Sequence, residues 1–128
     1  MPKRRLTLTL RLPPYRPPRY AWRRKLHREM VAAAERSRVA YARTDRLELR
    51  VVLYLHQREL VKHDVDNRLK DIMDALQGRV GGPKGESRAA GLIPNDSQIY
   101  RVSVEKMLSP GQSHGLGHLV LGKHRNHQ

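Results

Sequence analysis

The sequence contains no cysteine, which excludes disulfides and thiolate-bound zinc as sources of stability or chemistry. It also lacks any apolar run near the roughly 18 residues that a membrane span requires. The stretch MPKRRLTLTLRLPP has basic residues but neither a continuous apolar segment nor a small-residue cleavage site, so no secretory signal is expected and the expected location is cytoplasmic. Negative charge is scarce too: 12 Asp and Glu stand against 26 Lys and Arg, a formal net charge of +14. A balance of that sign points to a polyanion, because release of counterions from phosphates drives affinity. A small-molecule substrate is not expected. The bland alternative is a solvated basic surface or a ribosome-associated role, which charge alone does not separate from DNA binding.

The 128 residues fit one domain. At that size roughly two-thirds of the unfolded surface is buried on folding, enough for a core without staples. Residues 1–50 hold 15 basic and 4 acidic residues, whereas residues 51–128 hold 11 and 8. Four carboxylates, Asp64, Asp66, Asp71 and Asp74, crowd into eleven residues of that second part. A protein that merely held phosphates would be hindered by such a knot unless a cation lay between the two.

Alternation of Leu6, Leu8, Leu10 and Leu12 with polar residues predicts a first strand. The proline pairs at 13–14 and 17–18 make residues 13–19 an extended connector. Residues 20–43 read as a helix with Trp22, Leu26, Met30 and Ala33 on one face. Arg23, Arg24 and Arg28 lie on its other faces, either along a DNA backbone or simply in solvent. Trp22 is read as core, or else as part of a subunit interface. A second strand is predicted over 46–57, a helix over about 67–77, a loop over 78–95, and a third strand over 98–107 with Tyr100, Val102 and Val104 on one face. The Gly- and His-rich residues 109–128 read as a flexible tail, with only Leu119–Leu121 suited to a short strand. His114 and His118 are four apart, but the glycines between them argue against a helical metal site. The expected class is α/β, a small single domain over 1–108 with a mixed sheet packed against helices.

Chemistry concentrates in His63-Asp64-Val65-Asp66-Asn67. In extended chain, residues two apart point the same way, so Asp64 and Asp66 would present both carboxylates together. A hard divalent cation relieves that repulsion, and Mg²⁺ takes one or two carboxylates plus water and phosphate. The structural alternative makes Asp66 or Asn67 a helix N-cap. Lys70 follows Asp66 by four residues, either as an i,i+4 ion pair or as a cation beside a metal and a reacting phosphate. Asp96 alone is a turn residue. If the third strand lies beside the second, it becomes a third ligand.

Together, Asp64-x-Asp66-Asn67-x-x-Lys70, Asp74-Ala75-Leu76 and Asn95-Asp96-x-Gln98-Ile99 resemble the RusA family of Holliday junction resolvases, most closely over residues 62–106. The resemblance implies a RusA-like fold and a homodimeric, Mg²⁺-dependent endonuclease, with Mn²⁺ as a substitute, that resolves four-way junctions by paired symmetric nicks during recombination and repair. It implies Asp64, Asp66 and Asp96 as metal ligands and Lys70 as the catalytic lysine. A two-fold substrate in turn asks for a two-fold enzyme. Three departures stand out. Asn95-Asp96 replaces a pair of acids, His63 with Lys62 behind it replaces a basic residue before the first aspartate, and the loop from Gly78 to Pro94 is longer than usual. Lys62, His63 and Lys84, with Arg23, Arg24 and Arg28, are the expected DNA contacts. The alternatives are a metal nuclease for other branched or flap DNA, and a non-catalytic basic protein that binds nucleic acid.

Overall fold

In the computed structural model, leucines 8, 10 and 12 face one side of β1 (Leu8–Leu12) and are buried, while Thr9 and Arg11 between them are exposed. The same alternation runs along β2 (Leu47–Leu55), with every odd position buried. The structure describes residues 5–55, 58, 60, 65–80, 91–108 and 117–125. The other elements are α1 (Arg19–Ser37), α2 (Val65–Leu76), β3 (Ile99–Leu108) and β4 (Gly117–Lys123). The four strands form one mixed sheet in the order β1-β4-β2-β3. β4 is antiparallel to both its neighbours, and β3 is parallel to β2. This is the expected α/β domain with a mixed sheet and helices.

Both helices follow the C-terminal ends of parallel strands and run back along the sheet, as crossover connections between parallel strands must. They lie on its leucine side. α1 buries Trp22, Leu26, His27, Met30 and Ala33, and α2 buries Ile72, Ala75 and Leu76. Truncating any one of the large apolar residues among them would cost about 2–5 kcal/mol. Trp22 is therefore core, and its Nε1–H donates to the Pro13 carbonyl at 3.1 Å. The helices are pinned to each other by His27, whose Nδ1 lies 2.8 Å from the Ala75 carbonyl. A carbonyl only accepts, so Nδ1 carries a proton in this contact.

Four expectations need correction. α1 stops at Ser37 rather than 43. Arg38 takes the left-handed conformation at φ 56°, and Val39 N–H donates back to Ala34 O at 2.9 Å, closing a Schellman-type turn. α2 begins at Val65, so Asp66 and Asn67 are inside its first turn; neither is its cap, and the two-residue alternation does not extend to Asp66. In β3 the register slips after Ile99, so that Glu48 meets Arg101 and Tyr100 is the extra residue of a bulge. Tyr100 thus leaves the row of Val102 and Val104.

The fourth correction is the tail. Residues 117–123 are an interior strand, with Leu119 and Leu121 fully buried between β1 and β2. Gly117 is required there, since a Cβ would fall 1.9 Å from the Val52 carbonyl oxygen. The domain consequently continues past 108 to Lys123. Residues 109–116 and 126–128 lie outside the described residues.

Tyr41 ties the loop before β2 to β4 by donating to the Leu121 carbonyl at 3.0 Å. Burial, reinforced by Asp45, pushes its pKa up from the ordinary 10.0. A raised folded-state pKa leaves this contribution intact below pH 10.0 and removes it as the pH rises further. Stability measured by denaturant titration should therefore fall above that pH, and Tyr41→Phe should lose this share of the fall.

Candidate functional site

α2 carries the acidic run, and the fold sorts its members. Asp71 is completely buried and is met by three guanidinium groups. Arg19 donates to it through Nη2 at 2.9 Å and Nε at 3.2 Å. Arg23 and Arg68 approach to 3.5 and 3.4 Å. The hydrogen bonds and charge of Asp71 raise the pKa of Arg19 beyond its already high value. Arg68 is also buried, with its guanidinium 3.7 Å from the Tyr15 ring centroid and 5.5 Å from that of Trp22. Asp74 accepts from Arg23 Nη1 at 3.1 Å. The cation demanded by this half of the acidic knot is thus supplied by arginines of α1 and α2 themselves.

The outer parts of the motif divide the same way. Asn95 caps a short 3₁₀ turn over Asp96–Gln98, its Oδ1 accepting from Ser97 N–H at 2.9 Å. Gln98 donates to the carbonyls of Ala42 and Asp45 at 2.7 and 2.9 Å, tying the start of β3 to the approach to β2. Ala75, Leu76 and Ile99 pack in or against the core. Asp66, Lys70 and Asp96 are exposed. Those three are the described positions to which the resemblance assigns chemistry, whereas their neighbours in the motif have work in the fold.

Asp66 and Asp96 do not meet within one chain. β3 does lie beside β2, but parallel to it, so Leu47 pairs with Ile99 at one end and Leu55 with Leu108 at the other. Asp66 lies in the first turn of the helix that follows the Leu55 end in the chain, and Asp96 precedes the Ile99 end. The helix between them covers about 15 Å from Asp66 to Leu76, and Leu92 N–H donates to Leu76 O at 2.8 Å as the chain turns towards Asp96. Among the described residues no three His, Asp or Glu side chains gather as a metal site. Asp64, Lys62, His63 and Lys84 lie outside the described residues.

Of the cations expected on DNA, Arg24 and Arg28 are exposed on α1, while Arg23 is half-buried and engaged by Asp74 and Asp71. Arg23 braces the two helices, a role that sequence spacing does not reveal. A depression of about 470 Å³ between β1 and α1 is lined by Arg11, Lys25 and Arg36, with Glu29. Lys25 and Arg36 share α1, and Arg11 joins them from β1, a grouping that spacing along the helix does not report. The sheet face opposite the helices carries Arg50 and Arg101, with Tyr54 bonded to His118 at 3.1 Å. No helix among the described residues is long and apolar enough to cross a membrane. No protein-family model matches the chain, and no curated protein matches it.

Proposed function

We propose that this protein is a metal-dependent endonuclease for branched DNA, of the RusA kind, acting on four-way junctions. The observation that carries the reading is the division of the motif: Asp66, Lys70 and Asp96 are exposed, while the residues around them hold the fold. A net charge of +14, with Arg24 and Arg28 outward on α1, supplies the attraction for a phosphate backbone.

Carboxylate oxygens are the donors Mg²⁺ prefers, and one or two of them suffice when water and phosphate complete the shell. Asp66 meets that requirement on the described side, and Asp64 is its expected companion. A bound Mg²⁺ would supply an activated water and Lewis acidity. Lys70, one turn beyond Asp66 on α2, would face the phosphate oxygens and offset the charge that grows there.

The test is a labelled four-way junction beside linear duplex and flap controls, with Mg²⁺ and with EDTA. Symmetric, Mg²⁺-dependent nicking of the junction alone is expected. Asp66→Asn should bind the junction with unchanged affinity yet lose cutting by at least about a hundredfold, as expected for an interaction made chiefly in the transition state. Full cutting by that variant would remove Asp66 from the site. The separation of Asp66 from Asp96 within one chain favours a second reading, a basic binding protein without catalysis. Tight junction binding with no nicking by the unaltered protein would establish it.

A further inference from the structure

β1 has β4 on one side and, among the described residues, no strand on the other. The backbone N–H and C=O groups that point outward from it are left for a further strand. Both ends of this free edge are closed. Before it, the Arg5 N–H donates to Arg38 O and the Arg5 carbonyl accepts from Ala40 N–H, each at 3.1 Å. After it, Pro13 and Pro14 have no N–H to give.

A helix flanks this edge. α1 runs back beside β1 on the leucine side and sets Lys25, Glu29, Ala32 and Arg36 on one stripe, each a position before or beyond a buried core residue of the helix. The depression of about 470 Å³ lies between that stripe and residues 9–14, with no residue of β4 in its lining, so it opens on the free side of β1. Its two walls match in length. Lys25 to Arg36 covers about 16 Å of helix and Thr9 to Pro14 about 16 Å of extended chain, room for about five residues of another strand. Val39 bridges to Arg5, so Arg36 stands at the Thr9 end of the groove and Lys25 at the proline end.

We infer that this groove takes an acidic, extended segment of another protein as a fifth strand beside β1. A guest strand turns alternate side chains towards α1. The outer ones meet Arg36 and Lys25 and call for carboxylates. The middle one meets Ala32 and Glu29, where a small aliphatic group fits and a carboxylate is repelled. The remaining side chains turn to the open face, where Arg11 is exposed. Nucleic acid suits the groove less. Among the described residues its lining holds no aromatic ring for a base to stack on, and Glu29 opposes a run of phosphates. The inference does not rest on the nuclease reading, since Asp66, Lys70 and Asp96 line no part of the groove.

The probe is a labelled peptide with a core of glutamate, threonine, valine, glutamate and aspartate, followed by fluorescence anisotropy at about 0.15 M salt. Two versions, N-methylated at one or the other set of alternate core residues, should differ in affinity by at least about tenfold, because only one set turns its N–H groups to β1. Lys25→Glu with Arg36→Glu should weaken binding by at least about tenfold. Arg24→Glu with Arg28→Glu, the same charge change at exposed α1 positions outside the groove, should alter it by less than about threefold. Ala32→Trp, which fills the groove without touching its charge, should weaken binding as much as the first pair. No binding of the unmethylated peptide, equal binding of the two methylated forms, or equal losses from the two charge-reversed pairs would each overturn the inference. A single-stranded oligonucleotide that binds until Ala32→Trp abolishes it, with the peptide left unbound, would give the groove to nucleic acid and overturn it as well.

Discussion

Lys70→Ala should lower nicking of a four-way junction by about a hundredfold or more while leaving its binding nearly unchanged. On the proposed chemistry this lysine offsets charge that grows on the phosphate oxygens only as the bond breaks, so its loss falls on the rate and not on the affinity. The side chain is exposed one turn beyond Asp66, so the change should leave the melting temperature where it was. Single-turnover cleavage beside a binding titration and a thermal melt would check all three. A loss of binding equal to the loss of cutting would make Lys70 a phosphate contact and nothing more, and an unchanged rate would remove it from the site.

Replacing Asp71 with Asn should destabilise the protein by about 3–5 kcal/mol, the range seen when one member of a buried ion group is removed. On a domain of this size that corresponds to a melting temperature lower by roughly 10–20 °C. The loss comes chiefly from what the change leaves behind. Arg68 is 6% exposed and holds its charge between Asp71 and two aromatic rings, where little solvent reaches it. Arg19 has the better geometry with Asp71, but its side chain is 39% exposed and water can take over part of its solvation. Arg19→Ala should thus cost much less than Asp71→Asn, and calorimetry of the two variants would show the order. Equal losses would mean that the Arg19 contact, rather than the stranded Arg68, dominates.

The strands and helices that stood out in the sequence were those whose apolar period is long. β1 and β2 alternate over whole strands, and α2 sets Leu69, Ile72, Met73 and Leu76 on one stripe. β4 was weaker because its apolar positions are only Leu119, Val120 and Leu121 between glycines, and its interior place comes from partners far away in the chain. The end of α1 carried no glycine or proline to mark it, since Arg38 takes the left-handed turn. Within the site, the acidic residues could be listed but not sorted. Burial of Asp71 and its contacts with Arg19 and Arg23 arise where two helices meet, and spacing along one helix does not report that. Equally, placing the third strand beside the second left its direction open. The parallel direction is what carries Asp96 to the far end from Asp66.

The position of β4 has a consequence for synthesis on the ribosome. β1 and β2 never touch as neighbours; the gap between them is filled by residues 117–123. While the chain is being made, the leucines of β1 and β2 are ready long before the strand that joins them exists. Pairing across such sequence distances is slow, and surfaces exposed in the meantime invite aggregation. The nascent protein therefore has to keep β1 and β2 from pairing wrongly until residues 117–123 have emerged, and the native sheet closes only after that strand is made.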